Sequence, residues 1–149
     1  MRTTELTDGG HRVIVVAVDK GEDAVSVIND VATRSDIRGA RVTGVGGFHT
    51  AEVGYFDREA LDYVRIAVPE QVEVLSLLGD IAESQGKPAL HVHTVLGRRD
   101  GTTVGGHLLR GEVWPTLEVI ITEVGGNLTK QVDPETGLAL LNAPGTQTR

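Results

Sequence analysis

The chain contains no cysteine. That excludes disulfides and thiolate metal sites, and it fits a reducing compartment. Aromatics are scarce, at 3% of residues, so any core is built from Val, Leu, Ile and Ala, with Trp114 the one indole. No run of 18 apolar residues occurs, which excludes a membrane-spanning helix of ordinary length. The opening MRTTELTDGG lacks the apolar stretch of a secretory signal, so a cytoplasmic location is the expectation. Basic residues are few: the net charge is −7, and nothing is denser than the pair Arg98-Arg99. A DNA-binding surface needs a basic stripe to displace phosphate counterions, so direct nucleic-acid binding ranks as a distant third reading. No phosphate loop, dinucleotide fingerprint, nucleophile elbow or H-E-x-x-H motif is present.

A length of 149 residues without internal repeat or linker is read as one domain over 1–149, with 142–149 polar and expected to fray. His11 to Val18 is β-branched and reads as a buried strand. Apolar residues at 24, 25, 28, 31 and 32 repeat with a helical period, predicting a helix over 22–35 with acids in its first turn. Strands are predicted at 37–46, 51–57, 63–68, 88–96, 103–109 and 117–124, with short ones at 128–132 and 138–141. The stretch 72–82 admits helix or strand; strand is preferred because Gly79 weakens a helix interior. One helix among many strands implies an α+β fold, a mainly antiparallel β-sheet with helix packed on it.

Three of the five histidines fall between residues 91 and 107. His91 and His93 alternate on a strand and therefore share a face, with Val92 turned into the core. Whether His107 joins them depends on one turn. A two-residue loop at Asp100-Gly101 sets His107 opposite Thr94, on the other face. A three-residue loop, Arg99-Asp100-Gly101, with Gly101 left-handed, pairs Arg98 with Thr102 and His107 with His93, and a bulge at Gly105-Gly106 would shift the register by the same one residue. In that register three imidazoles converge, as in an open zinc site with a coordination position left for water. Glu112, Glu73 and Glu70 are the acids weighed as fourth ligand, supporting partner or general base. Against this stands the ordinary alternative of solvated strand histidines. His11 and His49 read as surface or loop residues, although His49, beside Gly46-Gly47, could border a pocket with those glycines. Tyr55, Phe56 and Tyr63 are candidates for stacking on a ligand or for packing, and Trp114 for a subunit contact.

The segments GVGGFHTAEVGYFD (44–57), VEVLSLLGDIA (72–82), PALHVHTVLGRRDGTTVGGHLLRGEVWPTLEVIITE (88–123) and DPETGLALL (133–141) resemble the plant and prokaryote conserved (PPC) domain, in order and over nearly the whole chain. The resemblance implies an antiparallel sheet with packed helix, assembled as a homotrimer, and it favours strand for 72–82. It also implies metal ligation, commonly zinc, by the L-H-x-H and G-G-H-L segments, which here supply His91, His93 and His107. The R-G-R-P core of the AT-hooks that accompany the plant domain is missing. Two functions follow as expectations. The first is a trimeric protein holding zinc or another divalent transition metal, with Gly46, Gly47 and His49 at the pocket and a small molecule as ligand or substrate. The alternative is a non-catalytic module that binds protein partners.

Overall fold

A computed structural model describes residues 1–142; the stretch expected to fray lies outside these residues apart from Asn142. The fold is mostly β-sheet with one short helix. In chain order the elements are β1 (Arg2–Asp8), β2 (His11–Asp19), α1 (Ala24–Arg34), β3 (Gly39–Asp57), β4 (Asp62–Val68), β5 (Val72–Ser84), β6 (Lys87–Gly97), β7 (Thr103–Glu123), β8 (Thr129–Val132) and β9 (Ala139–Asn142). Pairing is antiparallel throughout the described residues except for one parallel bridge, Glu83 to Thr129, between β5 and β8. No described helix is long and apolar enough to cross a membrane.

Two strands are longer than expected. The segments predicted at 37–46 and 51–57 are one strand, β3, and those at 103–109 and 117–124 are one strand, β7. The glycines and Pro115 that read as breaks lie within them. The β3–β7 pairing shifts register between Gly46 and Phe48, between Phe48 and Thr50, and between Glu52 and Val53, so the strands bend instead of ending. Their length lets β7 pair with β6 over 103–107, with β2 over 116–122 and with β3 over 107–123. As β5 joins β3 to β6, the strands β3, β5, β6 and β7 form a closed, barrel-like circuit. The strand β1 was not anticipated. All seven of its residues are exposed, and with nothing beneath it no apolar alternation marks it.

Helix α1 begins later than predicted. Asp23 is its N-cap, accepting a hydrogen bond from Ser26 N at 2.9 Å, while its second oxygen accepts one from Gly111 N at 3.1 Å. Glu22 also precedes the helix and accepts from Asp19 N, so neither acid lies in the first turn. Ala24, Val27, Ile28, Val31 and Ala32 form the buried stripe. It packs with Val16, Val18, Val92, Leu96, Leu117, Val119 and the fully enclosed Phe48 in one core cluster. A cap of this kind contributes about 1 kcal/mol, and it ties the helix start to the middle of β7.

Opposite faces of β6 therefore have different fates. Val92, Thr94 and Leu96 are buried toward the core, whereas His93 and Val95 are exposed. Across the sheet, His93 continues a row of direct partners: Val15, Ile120, Thr43, Leu78, His93 and His107. Leu78 and Ile120 are 57% and 45% exposed, and Val45, Leu75 and Val95 are exposed around them. The outer face is thus apolar and open, and the histidines sit at its end.

Candidate metal centre

The turn after β6 decides the site. Arg98 N donates to Thr102 O at 2.8 Å, Gly101 N donates to Arg98 O at 3.0 Å, and Gly101 takes φ 84°. Asp100 Oδ1 accepts from both Thr102 N and Thr102 Oγ1, at 2.9 and 2.7 Å, and these bonds hold the Asp100 carboxyl below its usual pKa. This is the three-residue loop with left-handed glycine. Its register places His107 directly across from His93.

A second hairpin completes the arrangement. Gln85 and Gly86, both at positive φ, close β5 onto β6 in the manner of a type I′ turn. That register sets Leu78 opposite His93 and Asp80 opposite His91. The ring centroids of His91, His93 and His107 form a nearly equilateral triangle with sides of 5.1, 5.3 and 5.5 Å. One ring nitrogen from each lies within 4.8 Å of the others. His91 Nε2 and His93 Nε2 are 3.2 Å apart. Two nitrogens bound ~2.0–2.1 Å from one tetrahedral ion would be roughly 3.3 Å apart.

Three further observations test the fit of an ion. Burial, then the neighbouring histidines and Lys130, pushes the His107 pKa down to about 4. Burial and His91 also lower that of His93. Both rings are therefore neutral near pH 7 and keep a lone pair for a metal. His107 Nδ1 is buried with no hydrogen-bond partner, which is costly for a polar atom unless something else satisfies it. Finally, Asp80 Oδ2 lies 3.4 Å from His91 Nδ1. A carboxylate there favours the tautomer protonated on Nδ1 and leaves Nε2 as donor to a metal. The residues fit a divalent transition metal.

Asp80 is itself held. Its Oδ1 lies 2.9 Å from Lys130 Nζ, an ionic contact without well-directed hydrogen-bond geometry, and Lys130 also donates to Ala89 O at 3.3 Å. The Lys130 side chain is only 4% exposed. Neither Asp80 nor Lys130 was singled out from sequence. Asp80 could have been: the Gln85-Gly86 turn and a two-residue side-chain period put it opposite His91. Lys130 carries no such local signal.

The other sequence candidates lie elsewhere. Glu70 pairs with Arg98 at 2.9 Å, and with Glu73 it lines a cleft at the far end of the β6–β7 hairpin. Glu112 lines another cleft with Lys20, His49, Gln71 and Trp114. These three acids are therefore not the supporting group of the histidine cluster; Asp80 takes that place. Gly46 and Gly47 pack against the backbone of Trp114 to Leu117 on β7, and no residue of the His49 cleft lines the histidine cleft. Trp114 and Pro115 sit within β7, with Lys20 Nζ 3.7 Å from the indole centroid. The histidine cleft, about 680 Å³, is walled instead by Tyr55, Phe56 and Tyr63 and by Leu138 to Leu140 of the last hairpin. The Tyr63 ring lies 5.0 Å from that of His107 and 5.4 Å from that of Phe56.

Residues 6–125 match the Plants and Prokaryotes Conserved (PCC) domain, a span that includes all three histidines. Among solved structures, a metal-containing protein of Archaeoglobus fulgidus is 32% identical, with 88% of this chain and 93% of that one aligned at a TM-score of 0.81. A plant- and prokaryote-conserved protein of Pyrococcus horikoshii is 29% identical over 93% of this chain and 98% of its own, at 0.83. A Ralstonia eutropha protein provisionally named as DNA-binding is 25% identical over 94% and 96%, at 0.82. No curated protein matches the chain.

Proposed function

Because the chain belongs to the Plants and Prokaryotes Conserved domain family, we propose that it is a metal-binding member, holding a divalent transition metal, zinc in the first instance, on His91, His93 and His107. One observation carries this reading: three imidazoles, two with lowered pKa, offer nitrogens within 4.8 Å of one another. The metal-containing relative of Archaeoglobus fulgidus supports it. A metal on three imidazoles keeps an open position and supplies Lewis acidity there, which suits a small-molecule enzyme. Asp80 orients His91, Lys130 holds Asp80, and Tyr63 shields His107 from water.

The assembly we propose is a homotrimer in the cytoplasm, with the cleft near a subunit boundary. The open apolar face around Leu78 and Ile120 supports association, since a monomer seldom leaves such a patch uncovered. His93 continues the same row of partners, so a copy seated there would border the histidines. Light scattering that gives a monomer mass at micromolar concentration would remove this part of the proposal.

Metal content per chain, by plasma mass spectrometry on untagged protein, tests the site. Near-stoichiometric metal is expected, lost in the His91→Ala/His93→Ala double variant while the fold persists by circular dichroism. Metal retained by the folded double variant would refute the ligand assignment. The same apolar face favours a second reading, a non-catalytic module that docks other proteins; a partner captured equally by the double variant and the native chain would favour it. Direct DNA binding is opposed by the net charge of −7, despite the name of the Ralstonia relative.

A further inference from the structure

No carboxylate among the described residues lines the histidine cleft, although the chain as a whole is acidic. Acidic residues outnumber Lys and Arg by 21 to 14, yet among the described residues the one charged residue lining the cleft, apart from the histidines, is Lys130. The Asp80 carboxylate does not line the cleft and is held between His91 and the lysine. An ammonium has three donors. Ala89 O accepts from one of them at 3.3 Å, and Asp80 Oδ1 lies 2.9 Å away as an ionic contact, so a donor is left for a ligand. Much of the remaining wall is apolar: Tyr55, Tyr63, Leu90, Leu138 and Leu140.

We infer that the cleft binds a small monocarboxylate with an apolar body, its carboxylate at the histidine–Lys130 end and its body against Tyr63, Leu138 and Leu140. The inference rests on the metal reading for its full strength, because a bound cation would add to the attraction. Size agrees: a cleft of about 680 Å³ is ample for a ligand of ten to fifteen heavy atoms. Chemistry separates a carboxylate from a phosphate. Phosphate sites gather several N–H donors, from a helix N-terminus, a glycine-rich loop or an arginine fork. Among the described residues none of these lines the cleft, where the Lys130 ammonium serves an anion of single charge. The last hairpin, β8–β9, brings both Lys130 and the leucines, so one element supplies the charge and much of the wall.

The test uses the full chain with phenylacetate, its neutral counterpart phenylacetamide, and inorganic phosphate as probes. Plasma mass spectrometry first reports metal loading, so an empty chain reveals failure of the metal reading by itself. Calorimetric titration then compares the probes on the metal-loaded and the chelator-treated chain. Phenylacetate should bind about tenfold or more tighter than phenylacetamide, and tighter than phosphate. Compared at equal metal occupancy, set by plasma mass spectrometry, the Lys130→Met variant should lose about tenfold in phenylacetate affinity, and Lys130→Arg should recover part of it. A charge preference that survives metal removal would sustain the carboxylate site without the metal. Equal binding of acid and amide, tighter binding of phosphate, undiminished binding by Lys130→Met, or no binding of phenylacetate in either state would overturn the inference.

Discussion

Gly79 offers a sharp probe of how the sheet builds the site. It lies on β5 directly opposite Val92, between the two histidines of β6. A Cβ at this position would fall inside the van der Waals envelope of the His91 carbonyl oxygen and 2.8 Å from both the His91 carbonyl carbon and Val92 Cα. Ordinary contact begins at 3.4 Å, so β6 must retreat by at least 0.6 Å at Val92 and further at His91. Bonds flanking the clash lengthen; losing two of them costs about 1 kcal/mol each, and strain in the strand adds a similar amount. Gly79→Ala should therefore destabilise the chain by roughly 2–4 kcal/mol. Because His91 and His93 flank the displaced residue, the nitrogens should also separate from His107, lowering metal affinity about tenfold to a hundredfold. Gly125, whose Cβ would meet nothing within 4 Å, is the matched control. Urea midpoints of the metal-free chain and competition against a chelating dye give the two quantities. If Gly79→Ala matches Gly125→Ala in both, the close approach of β5 to β6 does not shape the site.

The remaining predictions concern the support of the site and the core. Asp80→Asn keeps the side-chain shape but removes the charge between His91 and Lys130; metal affinity should fall about tenfold or more, and unchanged dye competition would show that Asp80 does not orient His91. In the metal-free chain His107 has a pKa of about 4, below its unfolded value near 6.5, so the unfolded state takes up the proton first. Stability should be full above pH 6.5 and decline as pH falls toward 4, by about 1–2 kcal/mol once solvent screening at this half-open position is allowed for. His107→Gln should flatten that part of the urea-midpoint profile, and an identical slope in the variant would contradict it. Phe48 is fully enclosed, with Gly111 against its ring, so Phe48→Ala should cost about 3–5 kcal/mol in thermal or chemical unfolding.

The readable and unreadable parts of this chain separate on physical grounds. Local periodicity carried the helix stripe, which buries one face; periodicity left 72–82 open, and Gly79 with the family resemblance decided for strand; the short pair after 128 closes on a nearby turn. The convergence of His91, His93 and His107 was legible down to its condition, the left-handed Gly101, since a hairpin register is a sum of residue numbers. Punctuation misled elsewhere: Gly46-Gly47 in β3 and Trp114-Pro115 in β7 lie at irregular pairing inside long strands, which a turn signal cannot be told from. The weighing of Glu112 and Glu73 failed on distance. Each lies about four or five strand residues from the histidine row, and at ~3.3 Å per residue that is roughly 13–16 Å. Lys130 could not be foreseen, because its place depends on a single non-local bridge between β8 and β5.

The two hairpins on either side of β6 store the geometry of the site at a distance from it. Closing the first loop on Asp100-Gly101 alone would set His93 against Leu108 and send His107 to the face of Thr94. The hydrogen bonds from Thr102 to Asp100, together with the positive φ of Gly101, select the other register. The Gln85-Gly86 turn does the same for Asp80. A side-chain period of two makes each choice all-or-none, since a slip of one residue moves a ligand to the opposite face. Neither loop lines the cleft, yet both determine what does. Substitutions at Asp100, Gly101 or Gly86 should therefore weaken metal binding without touching a ligand, whereas the neighbouring exposed Arg99 should tolerate change. The buried side chains Val92 and Leu96, on the other face of β6, hold the strand against the core while its register is chosen. On the proposed reading, metal affinity follows strand register, which is set in two turns and read out at three imidazoles.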